Sequence, residues 1–252
     1  MQLRRADDRE RTRTAWLDSA HSFSFGAAYD PDNLHFGLLL VSNEDVVAAG
    51  AGFDTHPHRD MEIVTWVISG ALVHQDSRGN NGLIYPGLAQ RMTAGTGILH
   101  SEKNDGSVPA HFVQMWVSPD EVGVSPGYEQ LEVAEWLATG ELVPVVSGLD
   151  RHRGDTAIRI TQRDAGLSVA RLVDGGRVKL PSAPYLHVFV AHGTLTLEGA
   201  DRPALELPAQ EVLDRSVLQA GDALRITDGG GVPLRAIGYA EVLVWEMHSR
   251  LR

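Results

Sequence analysis

Gly50-Ala51-Gly52-Phe53-Asp54-Thr55-His56-Pro57-His58-Arg59-Asp60-Met61-Glu62-Ile63-Val64-Thr65-Trp66-Val67-Ile68-Ser69-Gly70 is the stretch whose reading decides the fold. Its second half, Ile63 to Ile68, is a run of β-branched and aromatic residues stopped by Gly70, the signature of a strand. Its first half places His56, His58 and Glu62 at even spacing. Residues two apart on a strand point to the same face, so all three are expected on one face, aimed inward if the strand closes a barrel. A second stretch, Gly97-Ile98-Leu99-His100-Ser101-Glu102-Lys103-Asn104, repeats the pattern, with His100 and Glu102 at matching parity. Two such strands side by side converge three imidazoles and one or two carboxylates on a single point.

The rest of the chain has the same period. Phe112–Val117, Leu186–Ala191 and Leu195–Glu198 are further strand-like runs bounded by turn residues, which points to an all-β sandwich or barrel. Tyr128 to Thr139 departs from it: Leu131, Ala134 and Leu137 or Ala138 fall at helical spacing, after Pro126-Gly127 and before Gly140. This predicts a helical connector over 126–140 between units at 1–125 and 141–252. The halves also echo one another. Ile68–Leu72 and Ala191–Leu195 are candidate strand-closing turns, and the glycine-centred turns at Thr93–Gly97 and Leu218–Ala223 each follow about 25 residues later, as duplication of one β-barrel unit would produce.

Composition narrows the function. The chain has 252 residues, enough for two domains, and is 43% hydrophobic and 22% charged, as ordinary globular proteins are. Its net charge of −11 disfavours direct nucleic-acid binding driven by phosphate contacts. Arg4, Arg5, Arg9, Arg11 and Arg13 are interleaved with Asp7, Asp8 and Glu10, the pattern of a solvated mixed-charge face. There is no cysteine, so disulfides and thiolate ligation are excluded, and a metal here must use His, Asp, Glu or water. No apolar leader or membrane-length run is present, and a cytoplasmic protein without membrane association is the expectation.

Imidazole and carboxylate donors without thiolate suit one divalent transition metal, with Fe favoured and Mn, Ni, Co, Cu or Zn as alternatives. Four protein ligands on a six-coordinate ion leave positions for water, O₂ or a chelating substrate. His74, His111, His152, His187, His192 and His248 are read as lacking a matching partner at strand spacing and are expected to be surface or hydrogen-bonded core residues. Parity alone does not choose between Glu62 and Glu102 as the carboxylate ligand.

These two stretches resemble the paired motifs of the cupins, with one extra residue before Gly70 and Gly95 where the second motif usually has proline. Three stretches resemble the pirin family in particular: Trp16–Phe25 around His21-Ser22-Phe23, His56–Glu62, and Met92–Glu102. The resemblance covers nearly the whole chain and is strong to about residue 120. It implies a bicupin, two stacked double-stranded β-helix (jelly-roll) barrels joined by a short helix. It also implies metal in the N-terminal barrel only and a degenerate C-terminal cupin, where Leu186–Val190 offers just His187. It resolves the ligand choice: His56, His58, His100 and Glu102 hold the metal, and Glu62 has a structural or orienting role. His21, Ser22 and Phe23 then pack and hydrogen-bond beside the barrel and are not ligands.

Bacterial pirins are associated with quercetin 2,3-dioxygenase activity. The resemblance therefore implies a metal-dependent dioxygenase acting on a small aromatic substrate, a flavonol or similar chelating phenol. Glu102 would be both ligand and catalytic base for the 3-hydroxyl proton, and Phe53, Trp66 and Met92 are the expected pocket wall. The alternative implied by the family is a regulatory or metal-sensing protein that acts through a protein partner.

Overall fold

The structure, a computed structural model, describes residues 1–155, 157–198 and 216–251. Its first half supplies strands β1 (Gln2–Arg4), β2 (Glu10–Arg13), β3 (Leu17–His21), β4 (Leu39–Val47), β5 (Gly52–His58) and β6 (Glu62–Ser69). They are followed by β7 (Leu72–Asp76), β8 (Asn81–Ile84), β9 (Leu88–Thr93), β10 (Ile98–Lys103), β11 (Ala110–Val117), β12 (Gly127–Glu132) and helix α1 (Ala134–Leu137). The second half supplies β13 (Val143–Ser147), β14 (Ile158–Arg159), β15 (Ala165–Leu172) and β16 (Arg177–Lys179). It ends with β17 (Ala183–Leu197), β18 (Val217–Gln219), β19 (Ala223–Gly229) and β20 (Pro233–Met247).

A four-stranded sheet (β5-β10-β7-β8) and a seven-stranded sheet (β12-β9-β6-β11-β4-β3-β2) make the first barrel. Leu72 and Ile84 of the smaller sheet pack between them on Val47, Val67, Leu88 and Phe112 of the larger. β13 to β20 form a nine-stranded sheet together with β1, whose Leu3 pairs with Leu224.

The two halves meet through the outer face of the seven-stranded sheet. Val64, Trp66, Ala89, Val113 and Met115 form one core with Val145, Leu167, Val169, Phe189 and Trp245 of the second half. Residues Glu62–Val67 of β6 are therefore buried on both faces, which is why that run is almost uninterrupted apolar sequence rather than alternating. Trp66 Nε1 donates to Glu241 across this contact at 2.7 Å, and Trp245 Nε1 reaches Met115 Sδ at 3.1 Å.

Two sequence expectations are corrected. The helix predicted over Tyr128–Thr139 is confined to Ala134–Leu137. Gly127–Glu132 instead pairs with β9, from Gly127 opposite Thr93 to Glu132 opposite Leu88. The open edge of β9 offers a ladder of hydrogen bonds, and that tertiary demand overrides a weak local preference. Part of the expected connector is thus a strand of the first barrel. The turn expected at Ala191–Leu195 is also absent as a turn. β17 runs through it, with register shifts around His192 where it pairs β20. Gly193 sits there at φ +79°, and a Cβ would lie 2.0 Å from the Tyr239 carbonyl oxygen, so glycine is needed for the bulge.

Candidate metal centre

β5 and β10 run antiparallel with His56 opposite His100 and His58 opposite Ile98. The register then shifts, so that Asp54 and Thr55 stand against Ser101 alone, and Phe53 faces Glu102. This bulge bends β5 over the site. Gly52, at φ +155°, allows it: a Cβ there would lie 2.3 Å from the Glu102 carbonyl oxygen.

The three imidazoles come together as the spacing predicts. Ring centroids are 4.5 Å apart for His56–His100 and 4.9 Å for both His56–His58 and His58–His100. The Nε2 atoms of His56 and His100 face one another at 3.1 Å. Two nitrogens bound at right angles to one ion, each at roughly 2.1 Å, would be about 3.0 Å apart. His58 Nε2 is buried without a hydrogen-bond partner, the condition expected of a nitrogen whose partner is an ion.

Electrostatics set these rings for ligation. Burial pushes His58 down to about 4, helped by the neighbouring His56. His100 is pushed down to about 2 by burial and then by His56, His58 and His74. Both are neutral at pH 7 with a lone pair to give, as a metal requires. Hydrogen bonds choose which nitrogen gives it. His56 Nδ1 donates to the Asp54 carbonyl at 2.7 Å, leaving Nε2 free. His100 Nδ1 lies 3.4 Å from His74 Nδ1, and His74 Nε2 lies 3.1 Å from Asp76 Oδ2. With His74 donating to Asp76 and accepting from His100, the chain leaves His100 Nε2 directed at the other two imidazoles.

His74 is the residue of the candidate site that sequence reasoning misses. It is fully buried, stacks on Tyr128 at 4.4 Å, and faces Glu102 across the β7–β10 pairing. The signal was present as His74-Gln75-Asp76, a His-x-Asp pair at strand parity.

Glu102 is buried, with Oε2 accepting from Gln114 Nε2 at 2.7 Å and Oε1 from Thr65 Oγ1 at 3.4 Å. Burial raises its carboxyl to about 7 against those two bonds. Its oxygen groups with His74 and His100, within 4.8 Å of both, while His56, His58 and His100 form the other compact group. Glu62 lies elsewhere. Between His58 and Glu62 the chain turns at Asp60 (φ +46°) and passes from the smaller sheet to the larger, so strand parity does not carry across. Its Oε2 accepts from Thr93 Oγ1 at 2.6 Å, and Oε1 accepts from both the backbone and hydroxyl of Thr161 in the second half.

These shifts predict a pH dependence. A carboxyl raised in the folded state keeps its proton there, so its contribution to the stability of the ion-free protein is present below the ordinary carboxylate pKa near 4.3. That contribution is lost as pH rises through about 7. Binding an ion through Glu102 must expel that proton. Nickel affinity is expected to rise roughly tenfold per pH unit between about 5 and 7, then level off. Calorimetry at pH 6 in two buffers of different ionisation enthalpy should report about one proton released. Release of none, or of three, contradicts the assignment.

An open cleft of about 600 Å³, lined by Pro57, His58, Arg59, Ser77, Ile98 and Leu99, leads to the site. Trp116 stands edge-on to His58 at 4.9 Å and meets Phe25 at 5.7 Å, with its Nε1 donating to Gln114. Phe53 lies 6.3 Å from His56, as expected of a wall residue. Trp66 faces the second half of the chain, and Met92 is sealed in a small core with Ile63, Ala94 and Ile98. Trp116, not Trp66, is the indole beside the histidines.

Comparison with known proteins gives this geometry a family. The pirin family model matches residues 4–117. A Mycobacterium tuberculosis protein named "Putative quercetin 2,3-dioxygenase" is 53% identical over 252 residues, covering 100% of this chain and 96% of that protein. The chain belongs to the pirin family. Quercetin 2,3-dioxygenase of Escherichia coli K12 is 50% identical over 129 residues, 51% of this chain and 56% of that enzyme. The crystal structure of the bacterial pirin YhhW from Escherichia coli in complex with nickel(II) superposes with a TM-score of 0.83 at 33% identity, covering 99% of each chain. The all-β, two-barrel pirin fold expected from the sequence is the observed one, and the histidine and glutamate groups of this pirin both lie in its first barrel. Among the described residues no helix is long and apolar enough to cross a membrane.

Proposed function

We propose that this pirin holds one divalent transition metal through His56, His58, His100 and Glu102. In this reading it acts as a dioxygenase of the quercetin 2,3-dioxygenase type on a flavonol or similar chelating phenol. The observation that carries the reading is the convergence of three imidazoles, with the orphaned His58 Nε2 among them, beside a buried carboxyl. The donor set fits a borderline ion, with iron as the expected metal and nickel supported by the bound YhhW neighbour. When bound, such an ion supplies Lewis acidity and redox chemistry toward a chelating phenol and O₂.

The chain's own residues supply the remainder. Glu102, buried beside His100, is the carboxylate placed to take and return the proton of a substrate hydroxyl, as general bases within hydrogen-bond reach do. Gln114 holds its Oε2 and Thr65 its Oε1, which orients the carboxylate before substrate arrives. Trp116 offers an aromatic wall beside His58, and Leu99 and Pro57 an apolar mouth, for a planar phenol. The second barrel, with His187 packed against Phe23, serves as a scaffold behind the seven-stranded sheet.

The test is quercetin consumption with O₂ by protein reconstituted separately with Fe(II), Mn(II) and Ni(II), followed by flavonol absorbance and CO release. Turnover is expected with at least one metal, and Glu102→Gln should lower it by about 10²-fold or more. Absence of turnover with all three metals overturns the flavonol reading.

A further inference from the structure

The arginine-rich opening of the chain is not the solvated mixed-charge face its sequence suggests. Arg11 and Arg13 do pair with Asp18 at the surface, and Arg5 pairs with Asp222 at 2.7 Å. Arg9, however, is more than nine-tenths buried. Its Nη2 bonds Glu44, but among the described residues its Nε and Nη1 have no hydrogen-bond partner. Arg225 of β19 is buried to the same degree. Its Nη2 donates to the Ser22 carbonyl at 2.8 Å, and its Nε has no partner.

Strand pairing brings a third guanidinium to the same place. Gln2 of β1 lies opposite Arg225 and Arg4 opposite Ala223, so Arg4 and Arg225 are diagonal neighbours on one face. Among the described residues the Arg4 side chain makes no hydrogen bond or ion pair, and no carboxylate pairs Arg225. Burial and the charge of Arg4 together depress Arg225 to about 10. Arg4, Arg9 and Arg225 line a cavity of about 160 Å³, open to solvent on one side, with Ser22, Phe23 and Asn33. Ser22 Oγ and Asn33 Oδ1 are also buried there without partners. The ring of Phe23 lies beneath the Arg225 guanidinium at 4.6 Å, fixing its plane.

Buried guanidinium N–H groups without acceptors, set beside a like charge, are costly unless something negative completes them. In a chain of net charge −11 this is a local inversion of sign. We propose that the cavity is a binding site for a small oxyanion, the carboxylate or phosphate group of a small molecule, held by Arg4, Arg9 and Arg225. Planar guanidinium forks match both groups. The volume equals about five waters at ~30 Å³ each, so it takes a phosphate or short dicarboxylate rather than a nucleotide. Asp8, Glu10 and Asp30 also line it but are exposed, at the solvent side, where screening weakens their repulsion. His21, Ser22 and Phe23, expected from sequence to pack and hydrogen-bond beside the barrel, thereby gain a role in shaping a ligand site.

Inorganic phosphate and malonate, each against potassium chloride at equal ionic strength, test this by melting-temperature shift and calorimetry on the metal-loaded protein. Saturable binding of at least one anion is expected, weakened tenfold or more in Arg4→Gln and lost in Arg225→Gln, with metal content unchanged. Arg4→Gln guards against misfolding of the second variant, because among the described residues it removes no side-chain hydrogen bond or ion pair. Binding of phosphate alone assigns a phosphate ester, and binding of malonate alone a dicarboxylate. Shifts no larger than with chloride, or an affinity unchanged in Arg4→Gln, overturn the site.

Discussion

Replacing His100 with Ala is expected to lower nickel or iron affinity by far more than 100-fold. His100 is the only imidazole common to both histidine-containing groups, and it is the link between the centre and the His74–Asp76 pair. Its removal deletes a ligand nitrogen and leaves His74 Nδ1 facing empty space. Loss of an orienting partner alone typically costs 10–100-fold in metal affinity, so His74→Ala should fall in that range and His100→Ala well beyond it. Competitive titration against a chelator of known affinity measures both. Equal, small losses in the two variants would contradict the assignment of ligand and orienting roles.

Glu62→Ala is expected to retain the metal and lose stability by about 3–5 kcal/mol, because it strands one buried and two part-buried donors. The Glu62 carboxyl is fully buried and accepts from Thr93 Oγ1, Thr161 N and Thr161 Oγ1. It ties β6 to the segment preceding β15 and so fastens the first barrel to the second. Stranding a buried donor costs about 1–3 kcal/mol, and the two part-buried Thr161 donors, which water can reach, stand at the lower end. Denaturant unfolding of the metal-free protein reads the loss, and elemental analysis reads metal content. Loss of metal with unchanged stability would instead return Glu62 to the ligand set.

These two variants mark where sequence reasoning carried and where it stopped. The three histidines were legible because each pair lies within one strand, or on two strands that pair directly, where a period of two fixes the face. Glu62 shares even spacing with His58 but lies beyond a turn and in another sheet, so counting residues gave the wrong face. Trp66 and Trp116 illustrate a second limit. Both sides of β6 are buried, one against the barrel interior and one against the second half, so hydrophobicity could not say which side chain faced the metal. His74 was invisible to a search for paired His and Glu because its partners are Asp76 on its own strand and His100 on the next.

The helical reading of Tyr128–Thr139 failed for a related reason. Local spacing favours a helix, but the β9 edge needs a partner, and only the four residues of α1 escape that demand. The charge pattern of the opening segment was likewise read as surface, because sequence order does not show that β1 crosses to the second sheet and meets Arg225.

An anomalous-difference map from crystals grown with nickel or iron tests the central claim most directly. The account predicts one peak in the first barrel, within bonding distance of the Nε2 atoms of His56, His58 and His100 and of a Glu102 carboxylate oxygen. A peak held by His74, His100 and Glu102 without His56 and His58, or a peak outside the first barrel, would contradict it.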